Sequence, residues 1–404
     1  MKRYLLLLLV INILLFTSNS KVFTQSLHPY DQTIQKIVDK VNIDTLWKNL
    51  AYLQSIERYS LSTDAIVSSN YLKKYFERLG YDTVYLHSYN SKHIPNVIAI
   101  KYGKISQDTS VIIGAHYDVY AKSAPGADDN GSGTVATMEA GRVLANYDFK
   151  RTIKLICFSG EEQGILGSTA YASEAKKKGD KIIGVMAMDA ISYLYPGDPI
   201  NSDVYLDSNS VPFRKLYAGY TAMYIPGFTV KNVPMPYGAS SDMAAFWKSG
   251  YKAIMPSEGL YSMFGTNHMS PHHHSANDLI DKSANNKEQT VKITQSVTAT
   301  AAAIAEIYNP ASVDNNTSSD KIYLNAFPNP ASSEINLTYF INENAIINIS
   351  ISDVSGRTIC LLKNENKSKG SYNLKIPTTL LNPGLYIIRF TANNLIKTYK
   401  ISIQ

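Results

Sequence analysis

Apolar residues recur along this chain in two regimes. From Leu27 to about Tyr308, short apolar runs alternate with longer amphipathic stretches. The runs NVIAIKYG (96–103), SVIIGAHYD (110–118), TIKLICFSG (152–160), IIGVMAMDA (182–190) and KAIMPSE (252–258) are rich in aliphatic and β-branched residues, which predicts strands. Helical spacing lies between them, around 65–79, 132–147, 165–178 and 241–249. A final helix is expected from Lys287 to Tyr308, with Val297, Ala301, Ile304 and Tyr308 on one face. Near-continuous apolar strands are covered on both faces. Strands alternating with helices then predict an α/β sandwich, a mostly parallel mixed sheet held between helices.

At Asn309 the pattern changes. NPASVDNNTSSDK (309–321) is polar and aperiodic, which predicts a linker. Beyond it come INLTYFI, INISISD, TICLLK, YNLKIP, LYIIRF and TYKISIQ, separated by turn formers such as Ser355-Gly356 and Asn382-Pro383-Gly384. That spacing predicts a small all-β sandwich over 322–404. The start of the chain differs again. Lys2-Arg3 precede an apolar run from Leu5 to Phe16, and small polar residues follow. This order predicts a secretory signal peptide over 1–25, cleaved between Ser20 and Leu27. Its apolar run is short for a membrane span. With no other long apolar run, an integral membrane protein is not expected. The plan is therefore a signal peptide (1–25), an α/β domain (27–308), a linker (309–321) and a β-sandwich (322–404).

Composition narrows the picture. Of 404 residues, 45% are hydrophobic and 18% charged, the balance of a globular protein. A net charge of +6 is modest, and the densest basic run, Lys176-Lys177-Lys178, falls at an expected helix end. A solvated helix end explains it, so no nucleic-acid partner is expected. The two cysteines, Cys157 and Cys360, lie in apolar runs of different domains. They are expected to be buried free thiols, not a disulfide.

The chemistry gathers at strand ends, where open parallel sheets bind ligands. SVIIGAHYD delivers His116 and Asp118, two residues apart and so on one side of a strand. PGADDNGSG (125–133) follows with Asp128 and Asp129. TIKLICFSG ends in Glu161-Glu162, and IIGVMAMDA in Asp189. Farther on, HHHSANDL holds His272, His273, His274 and Asp278. Histidines and carboxylates at successive strand ends point to a divalent metal site, and the mixed nitrogen and oxygen donors suit zinc or a similar first-row ion. Caps and turns could account for Asp128 or Asn130 alone. They do not account for two adjacent glutamates after so apolar a strand.

At GAHYDV, PGADDNGSG, SGEEQGILGS, AMDAISY and HHHSANDL, in that order over 96–282, the chain resembles the co-catalytic di-zinc aminopeptidases of the secreted bacterial leucyl type. The resemblance implies a zinc-exopeptidase-like fold, two Zn2+ ions, and hydrolysis of N-terminal residues from peptides with a free N-terminus. It implies that His116, Asp129 and Asp189 hold one ion, and that His274, Asp129 and Glu162 hold the other. Asp129 then bridges both. His274 is chosen among the three histidines because it stands four before Asp278, as in the family pattern; His272 and His273 are expected to line the loop. Glu161 takes the place of the general base acting on a metal-bridging hydroxide, and Asp118 that of the carboxylate orienting His116. The resemblance also implies a cis peptide bond after Asp129. Ser241-Asp242-Met243 departs from the family's Ser-Asp-His, and the paired cysteines of some members are missing. Tyr237, Met255, Tyr261 and Phe264 are the candidate walls of a pocket for an apolar side chain.

FPNPASSEINL (327–337), ISDVSGRTI (351–359), NPGLYIIRF (382–390) and the terminal KTYKISIQ resemble a Por-type (type IX) secretion sorting domain. That resemblance implies the secretion machinery as a partner and export through the periplasm of a gram-negative bacterium, to a secreted or cell-surface location. A carbohydrate-binding sandwich is the alternative for this segment. For the first domain the alternatives are a glutaminyl-cyclase-like transferase, a carboxypeptidase or dipeptidase of the same fold, and an inactive binding protein. His116 speaks against the cyclase, whose relatives bind one metal and lack the first histidine. Intact ligand and base positions speak against an inactive protein.

Overall fold

The computed structural model describes residues 27–233, 241–259, 268–308, 322–341, 343–393 and 395–404. The expected signal peptide and linker lie outside them. Two compact units divide at Tyr308/Asn309, where the hydrophobic pattern changes.

In chain order the first unit runs α1 (Gln32–Val38), α2 (Ile43–Ser55), α3 (Ile66–Arg78), β1 (Thr83–His87), β2 (Asn96–Lys101), β3 (Ser106–His116), α4 (Gly133–Leu144), β4 (Arg151–Phe158), α5 (Leu166–Lys178), β5 (Lys181–Ala187), β6 (Asn201–Leu206), α6 (Val211–Tyr224), β7 (Thr229–Val233), α7 (Met243–Lys248), β8 (Ala253–Ser257) and α8 (Lys287–Ala305). The strands form one sheet in the order β1-β2-β4-β3-β5-β8-β6-β7. Its centre, β4-β3-β5-β8, is parallel. The flanks bring the antiparallel pairs β1·β2, β2·β4 and β6·β8.

Strand alternation divides the core into two layers. Val97, Val111, Ile113, Ile153 and Leu155 face one apolar cluster with side chains of α1–α4, α6 and α8. Ile98, Ile112, Ile156, Phe158 and Val185 face the other, closed by Tyr171 and Ala172 of α5 and Phe246 of α7. This is the expected sandwich. Amphipathic spacing with a cap explains individual helices. In α2, Leu46, Leu50 and Leu53 are buried at helical intervals, and the N-cap Asn42 accepts from Thr45 N. α8 is buried on nearly every face because its side chains are small (Ala, Thr, Ser). It stops at Ala305, short of the expected Tyr308. Glu306 turns left-handed (φ 57°) and its carboxylate pairs with Arg151 and with Lys150.

The second unit contains β9 (Ile322–Phe327), β10 (Glu334–Ile341), β11 (Ala345–Asp353), β12 (Thr358–Lys367), β13 (Gly370–Pro377), β14 (Gly384–Ala392) and β15 (Leu395–Ile403). They form an antiparallel three-stranded sheet, β13-β10-β9, and an antiparallel four-stranded sheet, β12-β11-β14-β15. Inward residues such as Leu337, Tyr339, Ile349, Ile388 and Phe390 share one core, so the sandwich expectation holds. Of the two thiols Cys157 is buried, but Cys360 is only half-buried. It lies on β12, an edge strand of its sheet. No helix among the described residues is long and apolar enough to cross a membrane.

Candidate metal centre

β3, β4 and β5 are parallel and all point their C-terminal ends the same way, so His116, Glu161-Glu162 and Asp189 emerge together. The loop between β3 and α4 folds back over these ends. Gly126 enters it at φ 59°, and a Cβ there would meet Asp129 O at 2.5 Å and the Val119 side chain at 2.5 Å. Only glycine fits such a turn. A π-helical turn covers Ala127–Ser132, with Asp129 and Asn130 in non-helical conformations, and the Asp129–Asn130 peptide bond is cis. Side chains brace the turn. Asn130 donates Nδ2 to Met188 O (2.9 Å) and accepts from Gly133 N (3.0 Å). Asp278 accepts from Asp128 N (2.9 Å) and Asp129 N (3.1 Å). Beneath it lies Arg58, 1% exposed, donating to the carbonyls of Leu53, Tyr117, Pro125 and Gly126.

Asp129 is the centre of the arrangement. Its Oδ1 lies 3.4 Å from His116 Nε2, which is 3.3 Å from Asp189 Oδ1. Its Oδ2 lies 3.1 Å from His274 Nε2, which is 3.1 Å from Glu162 Oε2. Zinc bonds of about 2.0–2.1 Å at tetrahedral angles put neighbouring donor atoms about 3.3 Å apart, so these spacings suit the ion. His116, Asp129 and Asp189 form one group able to hold a metal; Asp129, His273 and His274 form another. His273, expected to line the loop, brings Nδ1 within 3.1 Å of Asp129 Oδ2. Glu162 reaches the second group through its contact with His274. Asp129 Oδ2 and Glu162 Oε1 are buried, and neither makes a hydrogen bond among the described residues. Buried acceptors are paired almost everywhere else in proteins, so these two atoms fit cation ligands.

The electrostatics agree. Burial pushes Glu161 well above the usual carboxylate range, Glu162 up to about 7 and Asp118 up to about 6. Burial opposes charge on Asp129 too, yet the facing rings of His116 and His274 hold it well below the ordinary value. Burial likewise works against His116, but Asp189 and Asp129 hold its ring well above the imidazole range. The cluster concentrates negative charge on largely buried carboxylates, where a bound dication would be the largest local compensating charge.

The remaining sequence candidates fall as follows. Asp118 lies 3.7 Å (Oδ1) from His116 Nδ1, and its oxygens accept from Glu161 N (3.3 Å) and Glu162 N (3.4 Å). It therefore braces the glutamate loop as well as facing the histidine. Asp128 accepts from Ser192 N (2.9 Å). Met255 is buried on β8 in one apolar cluster with Met243 and Phe246. That cluster gives the Met243 departure a physical reason: the side chain packs against hydrocarbon. Tyr237, Tyr261 and Phe264 lie outside the described residues. Two residues escaped the sequence reading. Arg58 stands in a helix-to-loop segment with no motif around it. Asp242 is 1% exposed, and burial pushes its carboxyl up to about 7; its signal was the Ser241-Asp242 pair before α7.

Comparison with known proteins follows the same lines. The profile of peptidase family M28 matches residues 96–299, and that of a secretion system C-terminal sorting domain matches residues 325–404. Leucine aminopeptidase 1 of Sclerotinia sclerotiorum is 31% identical over 277 residues, 61% of this chain and 69% of the relative. A probable leucine aminopeptidase of Arthroderma otae is 29% identical over 186 residues, 43% of this chain; the match spans 48% of that relative's length. The crystal structure of the Legionella pneumophila LapA aminopeptidase has a TM-score of 0.63 at 23% identity, covering 70% of this chain and 75% of that one, which shows a shared fold. The segment matched by the family profile contains every candidate metal ligand around Asp129, and the chain belongs to peptidase family M28, with a secretion sorting domain at its C-terminal end.

Proposed function

We propose that this chain is an exported zinc metallo-aminopeptidase that removes N-terminal residues from peptides. The observation that carries the reading is the division of Asp129, whose Oδ1 faces His116 and whose Oδ2 faces His274. A carboxylate addressing two histidine-bearing groups suits a pair of neighbouring cations. His116, Asp129 and Asp189 would hold one zinc; Asp129, Glu162 and His274 would hold the other. Zinc held by these residues would supply Lewis-acid chemistry, activating a water and polarising the scissile carbonyl.

The chain's own groups supply the rest. Glu161 belongs to neither ligand group and interacts electrostatically with His116, Asp189 and Glu162. It takes the proton of the attacking water and returns it to the leaving amine. Burial keeps its affinity for a proton high. Asp118 fixes the main chain of Glu161 and Glu162, so base and ligand are held by one carboxylate. The C-terminal sorting domain, with the expected signal peptide, supports export through the periplasm of a gram-negative bacterium. The test is hydrolysis of amino-acid p-nitroanilides and of free and N-acetylated peptides, with and without a zinc chelator. Chelation should abolish cleavage, zinc should restore it, and acetylated peptides should resist. Full activity after chelation, or equal cleavage of blocked peptides, contradicts the proposal.

A further inference from the structure

The two histidines that face Asp129 are held in different ways. His116 is 1% exposed at the end of a central strand, and its Nδ1 lies 3.3 Å from the Asp118 carbonyl oxygen. A metal-ligating histidine usually has such a partner on its second ring nitrogen. His274 does not. Its side chain is 35% exposed, its backbone is left-handed at φ 57°, and its polar contacts to Asp129 and Glu162 both use Nε2. Among the described residues, no hydrogen bond is made at its Nδ1.

What the ring has instead is a stack. Tyr120 lies parallel to it, with centroids 4.1 Å apart and planes 7° apart. His273 stacks at 3.7 Å and 23°. Two rings this close to a third cannot share one face, so His274 is held between them. His273 also reaches Asp129, but Tyr120 makes no hydrogen bond to the acids among the described residues. Tyr120 is 50% exposed, so it is no core residue, and it sits on the loop that leaves β3 just after His116 and Asp118.

We propose that Tyr120 is a positioning residue for the second metal site: its ring face fixes the orientation of His274 in place of a hydrogen bond at Nδ1. The aromatic face does this, so the hydroxyl is dispensable. The inference rests on the two-zinc reading above.

The experiment is a zinc titration of metal-free full-length protein against a chromophoric chelator, for wild type, Tyr120→Phe and Tyr120→Ala. The d–d spectrum of the cobalt-loaded forms and the thermal midpoint of the metal-free forms are recorded in parallel. Tyr120→Ala should bind the first equivalent as wild type does and the second about tenfold more weakly. Its cobalt spectrum should change for the second equivalent alone, at an unchanged metal-free midpoint. Tyr120→Phe should match wild type throughout. If wild type takes two equivalents and Tyr120→Ala does the same with equal affinity and spectrum, the role of Tyr120 is overturned and the two-zinc reading stands. The same holds if Tyr120→Phe is as impaired as Tyr120→Ala. If wild type takes only one equivalent, the two-zinc reading fails and takes this inference with it.

Discussion

Arg58→Met removes the guanidinium beneath the metal loop while keeping much of its length. Arg58 Nε donates to Leu53 O (3.1 Å), Nη1 to Tyr117 O (2.9 Å), and Nη2 to Pro125 O (2.5 Å) and Gly126 O (2.6 Å). Leu53 O and Gly126 O keep a second donor, from Ile56 N and Gly131 N. Tyr117 O and Pro125 O have no other donor among the described residues. An unpaired buried acceptor costs about 1–3 kcal/mol, so two cost about 2–6 kcal/mol. Methionine offsets part of this, because burial already disfavours the charge and lowers the Arg58 pKa to about 10. A net loss of about 2–4 kcal/mol corresponds to a fall in thermal midpoint of about 5–15 °C for a domain of this size. The two ligand loops would also lose their common anchor, so zinc affinity should fall. Arg58→Lys keeps the charge but not the fork of donors, and should lie between wild type and Arg58→Met. The assay is thermal unfolding of metal-free and zinc-loaded forms. If Arg58→Met melts within about 1 °C of wild type and binds zinc equally well, the clamp contributes nothing and the reasoning is wrong.

Glu161→Gln should retain bound zinc and lose about 10²–10⁴-fold in kcat, measured by metal analysis beside p-nitroanilide turnover; undiminished turnover removes Glu161 as the base. His274→Ala should lose one zinc equivalent while His273→Ala keeps both, and the reverse pattern in a metal analysis would exchange their roles. Glu306 gives a pH test away from the centre. Burial alone would raise its pKa, but Arg151 overrides it and holds the carboxyl below its ordinary 4.5. A depressed folded-state pKa contributes stability above the unfolded value and loses it as pH falls through the folded one. Glu306→Gln should therefore melt below wild type at pH 7, with the gap closing by about pH 2; a gap independent of pH would refute the pairing.

The sheet centre was legible because β2, β3, β4 and β5 are buried on both faces and so read as unbroken apolar runs. The edge strand β7 was not: its burial pattern, exposed or half-covered throughout, leaves TVKNV without a period. β1 is half-covered in the same way. α2 went unread because it precedes the first strand, and α6 because neither β6 nor β7 on either side of it stood out as a strand. Within the site, the motifs singled out Asp129, Glu162 and His274, which the structure brings together. His273 was set aside because the family pattern singles out the histidine four before Asp278; the backbone is left-handed at His274, and both rings approach Asp129. Arg58 was invisible for a different reason. Its partners are main-chain carbonyls, three of them more than 50 residues away, and such contacts leave no trace in local pattern.

The central claim is that one carboxylate serves two zinc ions. Zinc content of wild type and Asp129→Ala after exhaustive dialysis tests it most directly. The account predicts two equivalents per chain in wild type and neither held tightly in the variant, with folding confirmed by circular dichroism. One equivalent in wild type, or two retained by folded Asp129→Ala, would contradict it.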